Sequence, residues 1–517
     1  MKIERTKNAA RNIIWGVIEK IITILLPFVT RTILIKVLGA EYLGLNSLFT
    51  SILQVLSISE LGISTAIVFS MYKPIAEDDN ESLCALLNLY RKVYTVIGTI
   101  ILIAGLLIIP LLPKLIAGGN NTNVNIYILY LVYLFNTVLS YFLFAYKQAL
   151  FSAYQRNDLI SKRTMIVSFI SNGLQISFLL LFRNYYTYVI VVPFATIITN
   201  LLNAALANKM YPNINCKGKV PDSEKKEIKK RIIGLLSFKI YGVVYTSVDT
   251  IVISSFLGLV PLAIYNNYFY VQTAIIAFLT IITSSITAGV GNKMITNSKE
   301  ENYNDFMNFT FANGWLSSWC AVCLVTLYQH FMKAWVGEDL TFPFLTMVLV
   351  VLYFYLSRVT TLTFTYREAA GLWWEDRIRP LVATVVNLGL NLLLVHFIGM
   401  NGVILSTVVC TVFINVPWGT IILFKKYFER SPKEYFCRIL LYIGISGIIS
   451  VLTLIICGFL PDHGWLYLII KALICLIIPN ILFVLAFKRL KEFEYTHYLI
   501  NKVMPKVFKQ HSKGGQI

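Results

Sequence analysis

Residues 13–38 read IIWGVIEKIITILLPFVTRTILIKVL, an apolar run that carries Glu19, Lys20, Arg31 and Lys36. A membrane-spanning helix needs roughly 20 apolar residues, about 30 Å of helix, so this run is long enough to cross a bilayer. A charged side chain at the bilayer centre costs about 2.5–3.5 kcal/mol on an insertion scale. The run therefore predicts a membrane helix whose charges face protein or water rather than lipid.

The remainder of the chain has the same apolar character. Hydrophobic residues make up 57% of the 517 residues and charged residues only 14%, whereas about 25% of residues are charged in soluble domains. This composition predicts an all-α, polytopic membrane protein with 14 transmembrane helices. The apolar segments lie near residues 13–38, 44–70, 93–113, 125–146, 164–182, 186–207, 232–257, 262–291, 307–331, 342–365, 379–398, 401–424, 438–459 and 465–487. In the second segment, Ser57, Ser59, Glu60 and Gly62 interrupt the apolar pattern.

Basic residues alternate between the two sides of these segments. Counted from the N-terminus, every second gap between apolar segments, starting with the first, is poor in basic residues. Of the 45 Lys and Arg residues, these gaps contain only Lys114, Arg183 and Lys333. The other loop cations lie in the alternate gaps and at the two ends of the chain. The positive-inside rule places the basic gaps in the cytoplasm, and an even number of helices places both termini there. The net charge of +19 is then explained by anionic lipid headgroups, so no nucleic-acid partner is expected.

The basic linker 209–231 divides the chain. We predict an N-terminal six-helix lobe (1–208), this cytoplasmic linker (209–231), a C-terminal six-helix lobe (232–424), a final helix pair (425–487) and a cytoplasmic tail (488–517). Aligning Leu38-Gly39 with Leu257-Gly258, an offset of 219 residues, places Lys20 on Lys239. Six helices is an even number, so the two lobes would be parallel repeats, which in transporters enclose a substrate cavity near the midplane.

Charges within the predicted spans are mostly positive. Lys20, Arg31, Lys36, Lys239, Arg358 and Lys471 are basic, and Glu19, Glu60 and Asp249 are acidic. Lys20 and Arg31 are eleven residues apart, about three turns, and would share one helix face about 16 Å apart. We expect Lys36 and Lys471 to extend toward the outer membrane surface. For Lys20 and Arg31, the alternative to a cavity is that their side chains extend toward the membrane surfaces at the two ends of the helix. Otherwise Lys20, Arg31, Lys239 and Arg358 are candidates to bind an anionic substrate in a cavity.

The acidic residues in the spans have two interpretations. Glu60 and Asp249 are candidates for coupling transport to an energy source, or for internal ion pairs such as Glu60 with Arg31. Cys320-x-x-Cys323 lies in an apolar run without a second pair or a nearby His, so one turn of membrane helix is favoured over a metal site. No phosphate-binding loop is found, and no catalytic residue, metal site or cofactor is predicted.

The chain resembles the bacterial polysaccharide flippases of the Wzx/PST type, in the superfamily that also holds the lipid II flippases and the MATE drug exporters. The resemblance covers the first twelve helices, while the last pair matches in position only. It is carried by Leu38-Gly39-Ala40-Glu41-Tyr42-Leu43-Gly44, Glu60-Leu61-Gly62-Ile63, Ala66-Ile67, Tyr72-Lys73-Pro74-Ile75, Asp249-Thr250-Ile251-Val252-Ile253, Leu257-Gly258 and Tyr265.

The resemblance implies a MATE-like fold and a transporter rather than an enzyme. Its cargo would be an undecaprenyl-diphosphate-linked oligosaccharide, flipped from the inner to the outer leaflet of the bacterial plasma membrane for capsule or exopolysaccharide synthesis. Alternating access around a cationic cavity would move it, with membrane lipids and the polymerase and glycosyltransferases of the pathway as partners. The alternatives are a lipid II flippase, a MATE-like drug or cation antiporter, and a membrane glycosyltransferase or polymerase.

Overall fold

The computed structural model describes residues 5–60, 62–119, 122–462 and 464–495, and the regular secondary structure in these ranges is helical. This confirms the predicted all-α fold class. The helices are α1 (Arg5–Leu38), α2 (Ala40–Leu56), α3 (Ile63–Ala76), α4 (Asn80–Ile108), α5 (Ile126–Phe142), α6 (Gln148–Ala153), α7 (Asn157–Phe182), α8 (Tyr185–Met210), α9 (Asp222–Leu257), α10 (Leu259–Thr296), α11 (Lys299–Val336), α12 (Phe344–Val359), α13 (Thr361–Ala369), α14 (Arg379–Cys410), α15 (Val416–Leu423), α16 (Lys433–Gly458) and α17 (Trp465–Phe487).

Nine helical stretches in the described residues are long and apolar enough to cross a membrane. The bent pair α5 and α6, with an angle of 46°, raises this to ten if the pair forms one span. The chain is therefore a multi-pass membrane protein, although the predicted count of fourteen is not confirmed. One reason is that Arg379–Phe428 counts as one stretch of 50 residues. Its backbone leaves helical angles at Ile398 and Gly399, beside the predicted link between two spans.

The predicted second segment is interrupted where the sequence indicates. Helix α2 ends at Leu56, a 3₁₀ turn covers Ser57–Glu60, and α3 begins at Ile63. Gly62 has a φ of 93°, in the left-handed region that favours glycine. The break therefore places the Glu60 carboxyl at an irregular point between two apolar helices.

The two Leu-Gly dipeptides that suggest an internal repeat have closely similar backbones. Gly39 follows α1 with φ of 110° and ψ of 169°, and Gly258 follows α9 with φ of 96° and ψ of −174°. In each case a new helix begins at the next residue. A residue with a side chain is strained at such positive φ values, so glycine allows a helix to end and another to begin without a loop.

The packing of the helices divides the chain into two compact units. Unit 1 comprises Met1–Asn267 with Leu388–Val403. In it α1 packs along α7, α7 along α8, and α2 along α9. Thr30 Oγ1 on α1 donates to Asn172 Oδ1 on α7 at 2.8 Å, and both side chains are buried. This bond fixes the rotation of α1 against α7 at Thr30, the residue before Arg31.

Unit 2 comprises Tyr268–Asn387 with Ile404–Ile517. Its centre is α11, which packs against α12, α16 and α17. Two indole groups of α11 attach it to α17: Trp315 Nε1 donates to Asn480 Oδ1 and Trp319 Nε1 to the Cys475 carbonyl, each at 2.9 Å. The final pair of helices is thus an integral part of unit 2. The five segments predicted from the sequence, with their boundaries, stay a prediction.

We predict that Gly44→Ala destabilises unit 1. A Cβ at Gly44 would lie 2.4 Å from the Leu259 carbonyl oxygen, which belongs to backbone and moves only if α2 and α10 separate. Overpacking of this kind typically costs 1–3 kcal/mol, and thermal unfolding of the purified protein in detergent measures the loss. The matched control is Gly173→Ala in α7, where a Cβ meets nothing within 4 Å. Equal stability of the two variants would contradict the predicted close approach.

Candidate functional site

Arg31 is held in α1 by oxygen atoms of the first turns of α10. Its Nη1 donates to the Asn266 carbonyl at 2.9 Å and to Asn267 Oδ1 at 3.4 Å. Asn267 is fully buried and the arginine is half-buried. These two acceptors belong to α10 and orient the guanidinium. Arg31 is therefore a cation with a fixed position.

Lys20 lies on the same helix as Arg31 and is exposed. Because α1 is a continuous helix across both residues, their separation of eleven residues keeps them on one side, as predicted from the sequence. Lys239 on α9 is exposed as well. Unit 1 thus contains three of the four predicted substrate-binding cations, two of them with accessible ammonium groups.

Arg358 is the fourth predicted cation and lies in the last turn of α12 in unit 2. It is half-buried, and its Nε lies 3.5 Å from Ser357 Oγ. Asn313 Nδ2 donates to the Arg358 carbonyl at 2.8 Å, which fixes the backbone at this point. In the part of the chain that the structure describes, no carboxylate lies within ion-pair distance of this guanidinium.

Glu60 is surrounded by tyrosines. Tyr94 donates to Glu60 Oε1 at 2.6 Å and Tyr141 to Glu60 Oε2 at 2.7 Å, while Tyr90 donates to the Tyr94 hydroxyl at 2.7 Å. The three tyrosines are buried and belong to α4 and α5. Among the described residues the Glu60–Arg31 ion pair, left open by the sequence, is not formed, because both carboxylate oxygens accept from phenols.

Asp249 is almost fully buried in α9 and is also held by neutral donors. Asn391 Nδ2 donates to Asp249 Oδ1 at 2.6 Å, and the Tyr265 hydroxyl donates to Asp249 Oδ2 at 3.3 Å. Asn391 and Tyr265 are buried too. Protonation of a carboxylate held in this way would change its charge and these hydrogen bonds together.

Sequence reasoning missed the partners of both carboxylates. Tyr90 and Tyr94 are four residues apart on one face of α4, the spacing at which two helical side chains act together. Asn391 is an amide inside the apolar run 388–395, where an unpaired polar group is costly. These were the available signals, but neither spacing nor composition indicates which carboxyl group such a residue contacts.

A sequence model of the polysaccharide biosynthesis protein family matches residues 9–287 of the chain. Solved structures of three transporters share its fold. A lipid II flippase, MurJ, in an inward closed conformation has a TM-score of 0.66 and 16% identity, covering 92% of this chain and 98% of its own. An inward-facing multidrug resistance MATE transporter has a TM-score of 0.60 and 13% identity, with coverage of 77% and 93%.

The third structure is a MOP superfamily transporter from Pyrococcus furiosus, for which a reversed polarity of the binding pocket is described as suggesting a different function. It has a TM-score of 0.54 and 14% identity, and the match covers 82% of this chain and 97% of the other. No curated protein sequence matches the chain significantly. At these identities the structural matches establish the fold alone.

We predict that Asn391→Leu destabilises the protein by roughly 1–3 kcal/mol, because it deprives a buried carboxylate of a hydrogen-bond donor. Combining it with Asp249→Asn removes the charge that needs the donor, so the double variant should lose less stability than the sum of the two single variants. Thermal unfolding of the four proteins measures this coupling. Additivity within about 0.5 kcal/mol would show that the two residues do not interact.

Proposed function

The chain belongs to the polysaccharide biosynthesis protein family, and we propose that it flips a lipid-diphosphate-linked oligosaccharide from the inner to the outer leaflet. The carrier lipid would be undecaprenyl diphosphate, the membrane the bacterial plasma membrane with both chain termini in the cytoplasm, and the product a capsule or exopolysaccharide. The polymerase and glycosyltransferases of the same pathway would be its partners.

The family match over residues 9–287 carries this proposal, and the sign of the charges inside the predicted spans supports it. Basic residues there outnumber acidic ones, which suits a diphosphate or an acidic sugar. In the fold shared with this chain, reversed pocket polarity has been taken to suggest a different function for the Pyrococcus furiosus transporter. The sign of the charge is therefore a reasonable guide to the cargo.

A lipid-linked oligosaccharide needs a protein to move its headgroup across the bilayer. A polar oligosaccharide cannot cross about 30 Å of hydrocarbon unaided, because its hydroxyl groups would lose their hydrogen bonds to water. The lipid tail, in contrast, never needs to leave the bilayer. A cavity that is polar inside and open sideways to lipid meets these two requirements, and alternating access between the two membrane faces would move the headgroup.

We assign the diphosphate-binding role to Lys20, Arg31, Lys239 and Arg358. Arg31 is the strongest candidate, since contacts with Asn266 and Asn267 hold its guanidinium in a fixed orientation. Arg358 supports the assignment as a half-buried cation whose described surroundings lack a carboxylate. A guanidinium offers paired donors that match phosphate oxygens. Lys20 and Lys239 would add charge at exposed positions.

We assign the coupling role to Glu60 and Asp249. Each carboxyl group accepts hydrogen bonds from neutral side chains, so protonation or cation binding would change both the local charge and these hydrogen bonds. Glu60 also lies at a break between two helices, where a rearranged hydrogen bond can change the angle between them. A membrane potential supplies about 2.3 kcal/mol per charge per 100 mV for such a cycle.

Two other transporters remain as alternatives. A lipid II flippase would differ only in its cargo. A MATE-like antiporter would take a cationic drug, which favours an acidic cavity, and uptake of a fluorescent organic cation by vesicles would support it. A membrane glycosyltransferase or polymerase is less favoured. It would need a larger loop to hold catalytic carboxylates or arginines, and the predicted outward loops are short. Sugar transfer by the purified protein would support the enzyme.

We predict that Arg31→Gln abolishes translocation. Loss of one charged hydrogen bond to a phosphate costs about 1.5–3 kcal/mol, at least roughly tenfold in rate or affinity. The measurement is the restoration of surface polymer in cells that lack their own flippase and carry only the variant. Membrane insertion and thermal stability of the variant must match those of the unchanged protein.

The matched control for this variant is Lys36→Gln. Lys36 lies on the same helix, five residues further on, and is exposed. It should restore surface polymer normally, because we expect its ammonium group to reach the membrane surface. Normal polymer in cells that carry only Arg31→Gln would refute the assignment of Arg31.

We predict that Glu60→Gln makes transport insensitive to an imposed ion gradient. Glutamine preserves the shape of the side chain and keeps one acceptor for the tyrosines, but it cannot change its charge. The rate of lipid flipping in proteoliposomes, with and without a gradient, tests this expectation. Glu77→Gln, at the exposed end of α3, is the control. An unchanged gradient response in Glu60→Gln would remove Glu60 from the coupling mechanism.

A further inference from the structure

A cavity of about 400 Å³ lies within unit 2, away from the residues assigned above. It is formed where α11, α16 and α17 meet the short segments that connect them to neighbouring helices. The charge pattern predicts that these connections face outward. The residues used in the argument are Gln329, His330, Lys333, Thr341, Asp462 and Lys471. Its volume falls in the range of small-ligand sites, roughly 300–1,000 Å³.

Lys471 provides a cation fixed in the wall of this cavity. It is only 2% exposed, and its Nζ donates to Asp462 Oδ1 in the segment between α16 and α17. The Asp462 side chain, in contrast, is 69% exposed. The hydrogen bond from Lys471 lowers the pKa of the Asp462 carboxyl, with further contributions from the charges of Lys471, His330 and Lys333. The cation is thus buried while its ionised counter-charge stays in contact with solvent.

The second ammonium group belongs to Lys333, whose side chain is less buried, at 36% exposed. Lys333 Nζ lies 3.0 Å from Glu338 Oε1, and the glutamate side chain is 66% exposed. His330 is buried beside them, with Nε2 3.1 Å from the Gly464 carbonyl. The lining therefore contains two ammonium groups, one imidazole and one carboxylate. An incoming phosphate would replace the carboxylate as the partner of the lysine, so the buried ammonium group of Lys471 would keep a counter-charge.

The neutral part of the lining suits a lipid. Gln329 is fixed, since its Oε1 accepts from Tyr268 and its Nε2 donates to the Phe342 carbonyl at 2.6 Å each. The apolar side chain of Phe344 lines the cavity and is 55% exposed. Phe459, one residue beyond the lining residue Gly458, is 84% exposed. Exposed apolar side chains often mark contacts with a membrane, so these two residues favour a lipid as the occupant.

We infer that this cavity binds the phosphate of an anionic lipid headgroup. Lys471 and Lys333 would hold the phosphate oxygens, and the acyl chains would lie against Phe344 and Phe459. The Thr341 hydroxyl, which donates to the Glu338 carbonyl at 2.7 Å, would turn to the phosphate. Asp462 occupies the position of the anion when no lipid is bound, and the incoming phosphate displaces it toward solvent. This site is independent of the proposed cargo and of the residues assigned to its transport.

The test uses the purified full-length protein and lipid added in defined amounts. Phosphatidylglycerol is the anionic probe, phosphatidylcholine carries the same phosphate without a net charge, and inorganic phosphate tests for a soluble anion. Binding is measured by native mass spectrometry and by the rise in unfolding temperature. We expect phosphatidylglycerol to bind better than phosphatidylcholine. Lys471→Met should weaken its binding roughly tenfold, since it removes a charged hydrogen bond.

Asp462→Asn is the decisive variant, because it removes the competing carboxylate and should strengthen phosphatidylglycerol binding. It also keeps the test valid if Lys471→Met fails to fold. The matched control is Lys114→Gln, an exposed cation in another predicted outward gap, which should change nothing. Weaker or unchanged binding in Asp462→Asn would overturn the inference. Equal effects of phosphatidylglycerol and inorganic phosphate would overturn the assignment to a lipid.

Discussion

Hydrocarbon offers no hydrogen-bond partner, so a polar group in a membrane span must find its partner inside the protein. In this chain that requirement is met by neutral groups at the charged residues of greatest interest. Two tyrosines donate to Glu60, an amide and a phenol donate to Asp249, and the carbonyl and amide oxygens of α10 accept from Arg31. Each of these contacts gives a charged side chain a hydrogen-bond partner within the protein.

A buried group of ion pairs lies where two helices are connected. In the segment between α13 and α14, the buried Asp376 bridges Arg367 and Arg379 at 2.9 and 2.7 Å. A Cβ at Gly419 would lie 2.3 Å from the Arg367 guanidinium, so the absence of a side chain there admits the arginine. Removing one member of such a buried pair leaves an uncompensated charge and is strongly destabilising. These pairs hold the ends of α13 and α14 to the segment between them.

Several helices are interrupted within or beside the predicted spans. Helices end at Gly39 and Gly258, a 3₁₀ turn separates α2 from α3, and α14 bends at Ile398 and Gly399. Non-helical backbone within a membrane is tolerated where protein or water satisfies its polar groups. Since transporters commonly build their sites at discontinuous helices, the position of Glu60 at one such break supports its proposed role in coupling.

The sequence by itself determined the membrane class, the all-α fold and the break at Ser57–Gly62, because hydropathy and glycine propensity act over a few neighbouring residues. It also marked Arg31, Glu60 and Asp249 as charges to explain. The tertiary structure alone decided their partners: Asn391 is 142 residues from Asp249, and Tyr141 is 81 residues from Glu60. Partner choice depends on which helices pack together and at what rotation, and local patterns do not encode that. Within Arg379–Phe428, the backbone leaves helical angles at Ile398 and Gly399, beside the link that the sequence predicts between two spans.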